Sequence, residues 1–178
     1  MTPLKEATAE KHRQAEQMPF NQRMFRGLLS EADYLGYLVQ QHAIFDTLEA
    51  QPLPHPDLNR RAAVWADIQE LCDKGHPMPT LLPSTQAYCR YLSGADAEKR
   101  LAHVYLNYLA ILFGGQMMKK MVPSSGKMYE FAEPREAMQA VRAVQQDSWA
   151  DEVNLGFDYS IHLFDELEQY SQSQTQND

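Results

Sequence analysis

The stretch AHVYLNYLAILFGGQMMKK, Ala102 to Lys120, places two adjacent glycines inside a strongly apolar helical run. Each Gly costs roughly 1 kcal/mol relative to Ala within a helix. A helix that keeps both needs its backbone either to bend or to be approached closely. Ala110 and Gly114 lie four residues apart and stack on one face, with Ile111 and Gly115 beside them, so the run predicts a smooth patch about one turn long. A flat ligand fits against such a patch. So does another helix, because close packing and simple kinks use small residues as well.

Outward from this run the chain reads as helix almost everywhere. There is no sustained alternating strand pattern and no Asn-Gly or Asp-Gly hairpin signal. Asp96 caps the glycine helix, which should end near Val122. On its N-terminal side, Ser84 opens a short helix ending near Ser93-Gly94. Asp57 is expected to cap a helix from Leu58 to Cys72. Ser30 with Asp33 resembles a capping box and opens a long helix to about Glu49. Met24, Phe25 and Leu28 suggest one face of a short helix before it. Thr2 followed by Pro3 predicts a first helix to about Glu16. On the C-terminal side, PSSGK is a turn, and helices are expected from Pro134 to about Ser148 and from about Ala150 to Tyr170. No repeat or linker is visible. The expectation is a single all-α domain over residues 1–170, followed by a disordered polar tail over 171–178.

Composition narrows the partners. The 178 residues are 44% apolar and 22% charged, ordinary for a folded domain, and the net charge of −8 argues against binding nucleic acid through phosphate contacts. No run of about 20 apolar residues exists to span a membrane, and the first residues lack the apolar core of a signal peptide. Cys72 and Cys89 then read as reduced core thiols, and the expected compartment is the cytoplasm.

In the first helix, Leu4, Ala7, Thr8, His12 and Ala15 follow helical spacing and form one stripe expected to face the interior. His12 on that stripe is open to two readings: a core histidine satisfied by a backbone carbonyl, or an axial ligand to a haem iron, which imidazole suits well. Other metal and nucleophile patterns are weak. No Glu-x-x-His pair occurs, Asp73-x-x-His76 sits in a Gly/Pro loop, and His42, His55, His103 and His162 form no ligand pattern. His103 reads as a structural hydrogen-bonder. The nine methionines read mostly as core filler.

Four blocks carry a resemblance to a known family: LKEATAEKHRQAE (Leu4–Glu16), AHVYLNYL…GGQMMKK, VPSSGKMYEF and IHLFDELEQ. In this order they resemble the proximal helix, the distal helix, the segment after it and the last helix of biliverdin-producing heme oxygenases. The resemblance implies a heme-oxygenase-like helical bundle. It also implies O₂-dependent opening of haem to biliverdin, carbon monoxide and ferrous iron, with haem as both cofactor and substrate and a reductase or ferredoxin as electron donor. On residues, it implies His12 as the iron ligand. Ala110, Ile111, Gly114 and Gly115 would form the distal surface over the reacting face. Lys5 and Tyr105 would meet the haem propionates, and Lys119 and Lys120 would present basic surface to the donor. Arg142, with Arg135 as another candidate, would be a further propionate partner.

The distal helix departs from the family pattern. The family's Gly-Asp is Ala110-Ile111 here, the Arg before its Tyr-Leu is Asn107, and a Tyr of the same polar network corresponds to Phe45. Ile and Phe offer no side-chain hydrogen bond. A network that loses several members together points to an environment rebuilt as apolar. The alternative implied is a haem- or bilin-binding protein of the same fold with weak or lost oxygenase activity.

Overall fold

The computed structural model describes residues 1–177; Asp178 lies outside the described residues. Among these, nine α-helices and three short 3₁₀ turns make up the regular structure, with no β-strand. The helices are α1 (Leu4–Ala7), α2 (Ala9–Gln17), α3 (Pro19–Phe25), α4 (Glu31–Leu48), α5 (Arg61–Asp73), α6 (Pro83–Gly94), α7 (Ala97–Met121), α8 (Pro134–Val144) and α9 (Ala150–Gln176). The expected all-α class is what forms.

Where a helix begins is set partly by local sequence and partly by distant side chains. The Ser30 hydroxyl accepts from Asp33 N at 3.0 Å and the Asp96 carboxylate accepts from Lys99 N at 2.9 Å, as the sequence predicts. Three other starts are capped from afar. Leu4 N donates to Asp147 Oδ1 at 2.8 Å, so Thr2 does not cap the first helix and Pro3 precedes it. The Glu49 carboxylate accepts from the Arg60 and Arg61 amides at the start of α5. Asp57, the predicted cap there, instead accepts from Ala132 N and Glu133 N ahead of α8. Ser84 N donates to Glu166 Oε1 at 2.7 Å. Each distant carboxylate satisfies amides that have no partner within the helix and sits at the positive end of its dipole.

The core is one large cluster running between α3, α4, α5, α6, α7 and α9, filled by Phe20, Tyr34, Leu38, Phe45, Leu48 and Tyr108 among others. Phe20 and Met24 are its contribution from α3. Phe25 and Leu28, read as part of that face, are exposed. A smaller cluster joins Leu4, Ala102, Leu106, Trp149 and Val153. It explains how α1 forms at all. Four residues are far too few for an isolated helix, but Leu4 is fully buried, worth about 1.5–3 kcal/mol. The predicted helix to Ser148 ends at Val144, and Asp147–Trp149 becomes a 3₁₀ turn that delivers both Trp149 to this cluster and Asp147 to Leu4. At the other end, α9 runs past Tyr170 to Gln176. Ser171 is buried and accepts from Arg23 at 3.1 Å, where the sequence reading begins a polar tail.

The segment after α7 is bound to α5 and the turn before it along most of its length. Glu70 accepts from Ser125 N and Oγ. Asp67, fully buried, accepts from Lys127 N at 3.0 Å and Met128 N at 2.9 Å. Arg60 donates to the carbonyls of Met128 and Glu130 and lies over the Phe131 ring at 3.9 Å. Burial raises the Asp67 carboxyl, and its two backbone hydrogen bonds pull the other way. Asp67→Ala should therefore cost about 1–3 kcal/mol by orphaning buried amides. Native-state hydrogen exchange should show the Lys127 and Met128 amides losing protection before the rest of the chain.

Candidate functional site

Five helices and the Lys127–Tyr129 turn enclose a cleft of about 550 Å³, within the range of small-molecule sites. Helix α2 supplies His12, Ala15 and Glu16. Helix α7 supplies Leu106, Asn107, Ala110, Ile111, Gly114 and Met117, with Phe113 and Met118 beside them. Helix α9 adds Phe157, Ser160 and Phe164. The remaining wall is Asn21, Gln22, Met24 and Phe25 of α3, Tyr37 and Gln41 of α4, and Tyr129.

His12 is not buried. Leu4, Thr8 and Ala15 of the predicted stripe are, but the His12 side chain is 59% exposed. Two things separate it from the core. Thr8, at φ −110° and ψ 0°, interrupts the helix and splits it into α1 and α2, and the face beyond Thr8 borders the cleft rather than packed side chains. The imidazole stacks on Phe157, with ring centroids 5.5 Å apart, and its Nε2 lies 3.0 Å from Glu16 Oε1 one turn on.

The two glycines answer different needs. Gly115 has φ +44° and ψ −136°, non-helical values that kink α7 and that L side chains avoid. It does not line the cleft. Gly114 does. A Cβ there would lie 3.3 Å from the Tyr129 ring and 2.8 Å from Met118 Cγ, so its absence lets both side chains close against the helix. Bending and close approach are both present, on neighbouring residues.

The cleft is mostly apolar and, among the described residues, no Lys or Arg side chain lines it; Glu16 is its carboxylate. Its phenols are buried: Tyr37 and Tyr129 interact through their hydroxyls, and burial pushes both well above the usual tyrosine range. The predicted charged partners lie outside the lining. Lys5 is exposed on α1 and Arg135 is exposed at the start of α8. Tyr105 is half-buried, its phenol raised by burial and lowered by the nearby Arg142 charge. The Arg142 guanidinium lies 5.7 Å from the centre of the Phe113 ring, at the edge of the cleft. Lys119 pairs with Glu130 at 2.5 Å, while Lys120 is exposed.

The comparisons with known proteins agree with this architecture. The family profile described as Heme oxygenase matches residues 1–148. The chain belongs to the heme oxygenase family. It is 32% identical to heme oxygenase 1 of Bos taurus over 152 residues, covering 72% of this chain and 52% of that protein. Heme oxygenase 1 of the cyanobacterium Synechocystis is 25% identical over 199 residues, covering 93% of this chain and 83% of that one. The chain thus spans about half the length of the vertebrate relatives it matches. Among solved structures, heme oxygenase-1 from Synechocystis in complex with heme superposes with a TM-score of 0.79 at 22% identity, covering 98% of this chain and 96% of that one. The heme oxygenase of Leptospira interrogans superposes with a TM-score of 0.74 at 23% identity, covering 92% and 97%. These likenesses establish the shared fold.

Within this heme oxygenase fold, the three positions read as a depleted polar network do not share one environment. Ile111 lines the cleft and is 4% exposed. Phe45 does not reach it; it is fully buried against Tyr108, with centroids 5.0 Å apart. Asn107 lines the cleft and still hydrogen-bonds, donating from Nδ2 to the Tyr88 hydroxyl at 3.0 Å and to the His103 carbonyl at 2.8 Å. The Tyr88 hydroxyl lies 2.6 Å from His103 Nδ1, and His103 Nε2 lies 2.9 Å from Glu152 Oε1. Sequence reading missed Tyr37, Gln41 and Tyr129 in the cleft wall. The four-residue spacing of Tyr37 and Gln41 on α4 was the available signal. For Tyr129, in a turn, there was none.

Two outcomes follow. Gly115→Ala forces a side chain into φ +44° and should lower stability by about 1–2 kcal/mol in a denaturant titration. Gly114→Ala should also destabilise, through a clash with Met118 Cγ at 2.8 Å and the Tyr129 ring at 3.3 Å rather than through backbone strain. Burial lowers the pKa of His103 and of His42, against the raising effect of neighbouring carboxylates. Their neutral forms favour the fold, so that contribution is complete above about pH 6.5 and is lost as pH falls through the lowered values. The melting temperature should drop on acidification from about pH 6.5 to about pH 5, and His103→Gln should flatten part of the drop.

Proposed function

We propose that this protein binds haem in the cleft and opens it, with O₂ and reducing equivalents, to biliverdin, carbon monoxide and ferrous iron. The observation that carries this reading is the pairing, in one cleft of about 550 Å³, of an exposed imidazole on α2 with the bare backbone of Gly114 on α7. The residues fit the group. A porphyrin needs flat apolar walls, and Phe157, Phe164, Ile111 and Ala110 offer them. It needs a nitrogen donor that is not consumed by the core, and His12 projects into the cleft with only Glu16 as its polar partner. It needs polar or cationic groups at the mouth for two carboxylates; Arg142 beside Phe113 is one candidate, and the resemblance implies Lys5 and Tyr105 as others.

Haem, when bound, supplies the iron that activates O₂. The protein's own residues hold and orient it. His12 would ligate the iron, with Glu16 fixing the ring through its second nitrogen. Ala110, Ile111 and Gly114 would bring one wall close enough to restrict which ring carbon is exposed, with Gly115 setting the angle of that wall. The apolar surface of Phe157, Phe164 and Met118 would exclude bulk water. Electrons would come from a reductase or ferredoxin docking near exposed Lys120, in a cytoplasmic setting; no helix among the described residues is long and apolar enough to cross a membrane.

A second reading has one observation in its favour. Ile111 puts an aliphatic side chain on the cleft wall where the resemblance implies a carboxylate. A protein holding haem or a bilin through the same walls, with slow turnover or none, would look like this. Titration with hemin should give a Soret band typical of histidine-ligated haem, and His12→Ala should weaken binding by at least about tenfold or shift the band. With a reductase and O₂ the wild type should form biliverdin slowly, and Ile111→Asp should accelerate it. An unchanged spectrum in His12→Ala would remove the ligand assignment, and a wild type that binds hemin without releasing biliverdin would favour the second reading.

A further inference from the structure

Beside the large cleft lies a second, small chamber of about 20 Å³. It shares Gln41, Asn107, Ser160 and Phe164 with the cleft lining, so the two spaces adjoin. A chamber of this size holds about one water molecule. Its lining is unusually polar for the interior of a helical protein: Ser84, Thr85, Tyr88, Tyr159 and Ser160 contribute hydroxyls. Thr85 is 1% exposed, and its hydroxyl has no partner among the described residues. A buried orphan hydroxyl costs about 1–3 kcal/mol unless something meets it.

Tyr88 links this chamber to the surface. Its hydroxyl oxygen accepts from Asn107 Nδ2 and sits 2.6 Å from His103 Nδ1. His103 is fully buried, and its Nε2 lies 2.9 Å from Glu152. The Glu152 side chain is 17% exposed and also accepts from the Tyr91 hydroxyl. The chain of hydrogen bonds therefore starts at a carboxylate that touches solvent and ends at a phenol on the chamber wall. The groups facing His103 are Tyr88 and Tyr91 from α6 and Glu152 from α9. Gly156 of α9 is close enough to the ring that a Cβ there would lie 3.0 Å from Nδ1. Helix α9 is thus held tight against the imidazole.

We propose that the chamber holds one ordered water bound by Thr85, and that this water, Tyr88, His103 and Glu152 form a proton path from solvent into the cleft. In one passage the Glu152 carboxyl gives its proton to His103 Nε2, Nδ1 gives one to the Tyr88 oxygen, and Tyr88 gives its own hydroxyl proton to the water. One O–H or N–H bond breaks and one forms at each inner group. The water passes its added proton into the cleft, leaving Glu152 as a carboxylate and His103 as its Nε2–H tautomer. Glu152 then takes a proton from solvent, and the imidazole and the Tyr88 hydroxyl turn back before the next passage. The Tyr88 oxygen can serve because a hydroxyl accepts two hydrogen bonds, here from Asn107 and His103, while it donates one. Haem opening consumes protons, and Ile111 cannot deliver them. The path supplies them from the other side of Asn107. The proposal rests on the haem reading above.

The test separates the two. Hemin titration of the wild type reads the haem assignment alone, and a protein that takes up no hemin ends both. High-resolution crystals of the protein as purified should show a water within hydrogen-bond distance of Thr85 Oγ1, lost in Thr85→Val. Glu152→Gln keeps the shape of the path but cannot supply a proton, and Tyr88→Phe breaks it at the chamber. Both should bind hemin within about twofold of wild type and slow single turnover by at least about tenfold, with a changed solvent deuterium isotope effect. In the reduced complex, the stretching frequency of bound carbon monoxide should shift in Thr85→Val and Tyr88→Phe. That measurement decides the matter if the wild type binds hemin without turning it over. No water at Thr85, or Glu152→Gln and Tyr88→Phe variants with wild-type turnover, isotope effect and carbon monoxide frequency, would overturn the path while leaving hemin binding intact.

Discussion

The structure depends on α7 doing two incompatible things along one length of chain. Its first half must pack as an ordinary core helix, burying Ala102, Val104, Tyr108 and Leu112. Its second half must present backbone to a cleft and then leave at a different angle. A regular helix cannot do both. Gly115, at φ +44°, is where the change of direction is made, and Gly114 just before it lets Tyr129 and Met118 close behind the wall. The walls supplied by α2 and α9 are arranged around the result.

The polar groups near the cleft are divided between two sides. On one, Tyr37 and Tyr129 share their hydroxyls in a setting so buried that neither ionises in the ordinary range. On the other, Asn107 hands on to Tyr88, His103 and Glu152. Ile111 sits on the wall with nothing polar to offer. The chain has therefore not lost its polar interior so much as moved it off the helix face where the family resemblance places it. Asn107 marks the crossing point, since it is the polar side chain of α7 that lines both spaces.

Much of the fold was legible because it is local. Ser30 and Asp96 cap the helices they precede, and the absence of alternating patterns correctly excluded strands. The misplacements share one cause. Asp147 on Leu4, Glu49 on Arg60 and Arg61, and Glu166 on Ser84 are caps delivered across the molecule, and no spacing rule anticipates them. The site divides the same way. His12 was expected on a buried stripe and instead lines the cleft, because a periodic stripe cannot distinguish a face that meets packed side chains from one that meets a cavity. Phe45 followed the helical pattern into the core. Tyr129 lies in a turn fixed by Asp67 and Arg60, and becomes part of the wall only after those distant contacts form.

Arg60 has one more consequence. It satisfies its guanidinium with backbone carbonyls and the Phe131 face rather than with a carboxylate, so salt has little purchase on its share of the strap, whose other ties run through the Asp67 and Glu70 carboxylates. The strap fixes the far end of α7, and the core fixes the near end. Between those two anchors the single non-helical residue, Gly115, is the hinge point at which the wall's angle is set.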